Sequence, residues 1–139
     1  MMTHLARNAD ALRNLAEGAL ADEERTMYPS AEHREADIEA GSGRSAEELR
    51  ADFERAQGAL VGTWARLSAD EWERPGWALA YGSRPVRETL AWRRRELLVH
   101  LVDLDMGVGP TDLPTDFVEQ DGEFLQSLRQ RDTWPDAPW

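Results

Sequence analysis

At 139 residues, 41% hydrophobic and 31% charged, the chain has the length and composition of one globular domain, and a second full domain does not fit. Its 16 basic and 27 acidic residues leave a net charge of −11, which repels phosphate backbones and argues against a nucleic-acid partner. Neither cysteine nor lysine occurs, so disulfides, thiolate metal sites, cysteine nucleophiles, Schiff-base chemistry and a P-loop lysine are excluded, and any thiol must come from outside.

No apolar run approaches the ~20 residues of a membrane-spanning helix, and the first residues lack the apolar stretch of a signal peptide. A cytoplasmic protein with no membrane partner is expected. In chain order, Leu5, Leu12, Ala16 and Ala19 recur at helical intervals from Thr3 to Leu20, with His4, Asn8 and Ala11 on a neighbouring face. A loop is expected from Thr26 to Ser45, punctuated by Tyr28-Pro29-Ser30 and Gly41-Ser42-Gly43. Ser45 with Glu48 forms a capping-box signature, followed by an apolar stripe of Leu49, Phe53, Ala56, Leu60, Trp64 and Leu67. Ser68 and Glu71 repeat the capping pattern ahead of a short turn carrying Trp72, which Pro75-Gly76 interrupts.

Pro85 then suits a first helical position, opening a helix from Val86 to Leu104 of about 28 Å, with Gly107 as its stop. Leu90, Leu97, Leu101 and Leu104 read as its core stripe, and Arg93, Glu96, His100 and Asp103 as a polar face. Asp116 with Glu119 caps a last helix bearing Phe117, Phe124, Leu125 and Leu128, ahead of a tail from Trp134 to Trp139. With no strand-period alternation and no repeat, the expected class is all-α, an antiparallel bundle of helices.

Glu96 and His100, four apart on one helix, project from successive turns and can grip one ion together, or else form an ordinary hydrogen-bonded pair. Asp103 continues that face and is placed to orient the His100 ring. His4 needs only helix packing to join them; otherwise it is a solvated terminal histidine. Two imidazoles and a carboxylate suit Zn²⁺ or another divalent ion and leave coordination positions open. Arg93, Arg94 and Arg95 point to different sides of a helix, so ordinary ion pairs are expected of most of them, with an anion-binding patch as the lesser alternative. His33 is expected to do nothing specific, and Gly41-Ser42-Gly43-Arg44-Ser45 is either a flexible linker or a backbone nest for an anion. Trp64 reads as core, while Trp72 and Trp77 are placed to wall a cleft.

The stretches His4 to Leu12, Met27 to Ser30, Arg34 into Asp37 to Gly41, and Arg93 to Leu104 together resemble the metal-binding N-terminal domain of mycothiol-dependent maleylpyruvate isomerases, whose fold is a DinB-like helical bundle. That resemblance implies His4, Glu96 and His100 as zinc ligands. It also implies a role for Arg34 in handling a small carboxylate substrate; the plainer reading of Arg34 is an ion pair with Glu32, Asp37 or Glu39. Mycothiol would supply the missing thiol, adding to the cis double bond of maleylpyruvate and leaving to give fumarylpyruvate. Family members carry a further helix ahead of the His-bearing one and a C-terminal domain, so residues 1–139 are expected to be one metal-binding domain without either. Self-association through exposed apolar stripes and a piece of a longer protein both stay open. So do two other functions, a mycothiol S-transferase acting on another electrophile and a non-catalytic interaction module.

Overall fold

The computed structural model describes residues 1–41, 43–78 and 82–129, with side chains through residue 122. The chain divides into two compact units, Met1–Arg94 and Arg95–Trp139.

The first unit is built on helix α1, Met2–Ala21, which buries Leu5, Ala6, Ala9, Leu12, Leu15, Ala16 and Ala19. Alanines favour the helix and let neighbours come close. At its end Asp22 adopts a left-handed conformation (φ 58°), and the Glu23 amide donates to the Gly18 carbonyl, satisfying one of the last exposed carbonyls.

Helix α3, Ala46–Trp64, packs along α1 on the expected stripe. Ala56 and Leu60 join Ala6, Ala9 and Leu12 in one buried cluster, flanked by Phe53 and Trp64. Arg7 pairs with Asp52 near the start of both helices, and Ala16 and Ala19 share a cluster with Trp64 near the end of both. This one pair of neighbours therefore runs in the same direction within the bundle, and the connection from 22 to 45 carries the chain back. Both expected capping boxes form: the Ser45 and Ser68 hydroxyls accept from the Glu48 and Glu71 amides, and those glutamates accept from the Ser45 and Ser68 amides at 2.8 Å each. Ser68 opens the short helix α4, Ala69–Trp72.

Three local expectations need correction. The loop from Thr26 to Ser45 contains helix α2, Ala31–Glu39, capped by the Ser30 hydroxyl, which accepts from the His33 amide at 3.1 Å. None of its residues is buried, so no apolar period announced it. The segment from Pro75 to Pro85, where no strand is expected, forms a two-stranded antiparallel sheet, β1 (Pro75–Ala78) and β2 (Gly82–Pro85), pairing Pro75 with Pro85 and Ala78 with Gly82. Pro85 ends a strand instead of opening a helix. Helix α5 starts at Glu88 and runs to Asp103. An isolated parallel bridge joins Thr26 to Trp77 of β1, with the Trp77 amide donating to the Arg25 carbonyl at 2.8 Å and the Met27 amide to the Trp77 carbonyl at 3.0 Å.

The inward side of α5 also differs from the expected leucine stripe. Thr89 and Arg93 are its buried residues, whereas Leu90, Leu101 and Leu104 are 48%, 39% and 40% exposed. Trp72 lies against Trp64, ring centroids 6.3 Å apart, at the edge of the core, while Trp77 on β1 is exposed, so the two do not share a cleft wall.

The second unit holds the rest of α5, one 3-10 turn at Pro110–Asp112 and helix α6, Thr115–Arg129. Helix α5 is closed by Asp105 (φ 50°), whose amide donates to the Val102 carbonyl at 3.0 Å, so the expected stop at Gly107 (φ +86°) falls four residues beyond the helix end. Helix α6 begins at Thr115, with the Phe117 amide donating to the Pro114 carbonyl, so Asp116 lies in its first turn and is not the cap. Phe117 is buried, and Arg95 pairs with Asp121 to tie α5 to α6. The side chains of Phe124, Leu125 and Leu128 and the tail from Trp134 to Trp139 lie outside the described residues.

Candidate metal centre

His4 stands in the first turn of α1, and Glu96 and His100 stand in successive turns of α5. Among the described residues these three form a group able to hold a metal ion: each offers one ligand atom, and those atoms lie within 4.8 Å of one another. All three are half-buried.

The His100 ring is held on both sides. Its Nδ1 lies 2.7 Å from Asp103 Oδ2, and its Nε2 lies 3.6 Å from Glu96 Oε2. With the proton on Nδ1 donated to the Asp103 carboxylate, the Nε2 lone pair faces Glu96, which is the tautomer that a ligating histidine needs. A tetrahedral zinc site with bonds of about 2.0–2.1 Å separates its ligand atoms by about 3.4 Å. The 3.6 Å spacing and the mixed nitrogen and oxygen donors therefore fit a divalent ion.

Arg34, on α2, reaches back to α1. Its Nη2 lies 3.2 Å from His4 Nδ1, and its guanidinium stands 5.9 Å from the centre of the buried Tyr28 ring. The Gly41 that follows α2 fits closely against Thr3: a Cβ there would come within 2.4 Å of the Thr3 side chain, so only glycine lets this connection pass beside the start of α1. Arg44 next binds Asp52 at 2.6 Å. The connection is thus held at Gly41 and at Arg44; Ser42 lies outside the described residues.

Two residues near the group gave little sign in the sequence. Tyr28, buried under Arg34, read only as part of a turn. Arg93, one of three consecutive arginines of which ordinary ion pairs are expected for most, sends its guanidinium inward to Leu5, Asn8 and Gln57. The sequence showed only a polar Asn8 one turn after His4 on α1, which the structure buries beside Arg93. His33 makes an exposed contact with Asp37 on α2, 3.3 Å long.

A helical bundle presenting two histidines and a carboxylate defines the class. The family model described as the mycothiol maleylpyruvate isomerase N-terminal domain matches residues 1–105, and the chain belongs to that family. Two solved structures are similar. The crystal structure of the mycothiol-dependent maleylpyruvate isomerase superposes with a TM-score of 0.82 at 34% identity, and a histidine-to-alanine mutant of that isomerase with 0.80 at 34%. Each comparison covers 85% of this chain and 49% of the other, so the chain spans about half the length of these relatives. No curated protein matches.

Proposed function

We propose that the chain is the metal-binding part of a mycothiol-using isomerase that converts maleylpyruvate to fumarylpyruvate, with zinc held by His4, Glu96 and His100. The single observation that carries this reading is the convergence of those donor atoms within 4.8 Å in a member of this family. A divalent ion at such a set lowers the pKa of a bound thiol and supplies a thiolate near neutral pH.

The chain's own groups have distinct tasks. Asp103 keeps the His100 proton on Nδ1. Arg34, beside His4, offers a planar fork that matches a carboxylate in a bidentate way and holds the negative charge that grows as a nucleophile adds to the conjugated double bond. Addition turns that bond into a single bond, rotation follows, and loss of the thiolate restores the double bond in the trans form. Among the described residues no helix is long and apolar enough to cross a membrane, and we take the substrate to be a small soluble carboxylate met in the cytoplasm.

The test is turnover of maleylpyruvate by zinc-loaded protein with and without mycothiol. The expected result is isomerisation that depends on mycothiol and falls by at least tenfold in Arg34→Gln. Absence of any mycothiol-stimulated isomerisation by protein whose metal site is filled would remove the isomerase reading.

A further inference from the structure

We infer that Arg93 is the positioning residue of the donor set, fixing α5 against α1 so that its ligand-bearing face is presented in one rotational setting. This inference rests on the metal reading above and deepens it.

Arg93 is 2% exposed and heads the fully buried side chains by volume. Its Nη1 donates to the Leu5 carbonyl at 2.8 Å and to Asn8 Oδ1 at 2.9 Å. Its Nε and Nη2 donate together to Gln57 Oε1, at 2.9 and 2.7 Å. The Phe53 ring lies 5.7 Å beneath the guanidinium. One side chain of α5 is thereby bonded to α1 on one side and to α3 on the other.

The attachment points matter. Leu5 follows His4 directly, and Glu96 and His100 lie three and seven positions beyond Arg93 on the same helix. At 100° per residue, those three α5 positions fall within about 60° of one another around the helix, so whatever fixes Arg93 fixes the direction in which the ligands leave α5. A guanidinium has rigid planar donors, and a buried cation loses several kcal/mol if they are left without acceptors. Rotating α5 by one residue, or sliding it by about 1.5 Å, breaks this fork of bonds together.

A well-packed apolar side chain of similar volume would give comparable stability without the desolvation cost of a buried cation. The directional bonds are what such a residue could not supply. A ligand set needs its side chains held within about 0.5 Å, and directional bonds to a neighbouring backbone carbonyl achieve that.

The experiment measures Zn²⁺ affinity by chelator competition, with the melting temperature beside it, for the wild type, Arg93→Gln, Arg93→Lys and Gln57→Ala. Leu60→Ala serves as a core-destabilised control at a residue that supplies none of the bonds of Arg93. Loss of a supporting partner of a ligand set costs about 10–100-fold in metal affinity. We expect Arg93→Gln to weaken zinc at least tenfold, Arg93→Lys to recover part of the loss, and Leu60→Ala to change affinity less than about threefold at a similar drop in melting temperature.

Gln57→Ala leaves α1 and α5 untouched, and a loss of about threefold or more there keeps the test decisive even if Arg93→Gln does not fold. Unchanged affinity in the folded Arg93 and Gln57 variants, or an equal loss in Leu60→Ala, overturns the positioning role while leaving the metal reading in place. Failure of the wild type to bind zinc overturns both.

Discussion

Asp52 sits among Arg7, Arg44 and Arg55, with guanidinium nitrogens 2.9, 2.6 and 2.6 Å from its oxygens. Burial pushes its carboxyl up, but the hydrogen bonds from Arg44 and Arg55 and the nearby Arg7 charge outweigh this and hold the pKa at about 2, below its ordinary 3.8. A depressed pKa contributes stability above the unfolded value, and that stability is lost as pH falls through the folded one. The contribution is about 2 kcal/mol at neutral pH, disappearing between pH 4 and 2. Asp52→Asn is expected to lose at least that much at pH 7, because three cations then face one another, and to show a flatter acid limb in circular dichroism. Parallel acid unfolding of the variant and the wild type would contradict the assignment. Nearer the metal centre, Asp103→Ala is expected to lower zinc affinity by about tenfold or more, with little change in melting temperature, because the His100 ring loses its partner on Nδ1. At this scale the sequence was legible where spacing encodes geometry: Glu96, His100 and Asp103 lie three and four apart on one helix. Arg93 was not, because its acceptors come from positions 5, 8 and 57, which no local pattern brings together.

At the scale of elements, the helices with caps and apolar stripes were readable, and those without were not. The two capping boxes and the stripe from Phe53 to Trp64 are complete local signals, and both formed. Helix α2 has a serine cap but no buried residue, so a periodicity argument passes over it. Strands of four residues spelled Pro-Gly-Trp-Ala and Gly-Ser-Arg-Pro carry no alternation of apolar and polar side chains, and the backbone bonds of Trp77 to residues 25–27 join positions some fifty apart that no local pattern links. The connection from α2 to α3 supports a further prediction. Gly41→Ala drives a methyl into Thr3, next to His4, and is expected to destabilise the fold by about 1–3 kcal/mol and to weaken zinc binding. Adding Thr3→Ala should recover part of both losses, a non-additivity expected of two groups in contact. Additive losses in denaturant unfolding would show that the close approach is not what constrains this segment.

For the whole molecule, the all-α class followed from helical periodicity and the absence of strand patterning, and the helical fold agrees with solved relatives at TM-scores of 0.82 and 0.80. What periodicity misjudged was the orientation of α5. A rule that sends leucines inward placed Leu90, Leu101 and Leu104 in the core, but the buried side carries Thr89 and Arg93, since α5 packs on α1 through polar bonds. The donor set was legible only as far as Glu96 and His100, which share a helix. For His4, more than ninety positions away, the residues left ligand and solvated terminal histidine both open, and only the likeness of His4 to Leu12 and Arg93 to Leu104 to a known family favoured the ligand. The most direct measurement is elemental analysis of the purified chain beside its His100→Ala variant. The account predicts one divalent ion per chain in the wild type and a large loss in the variant, whereas no stoichiometric metal in the wild type, or equal metal in both, would contradict it.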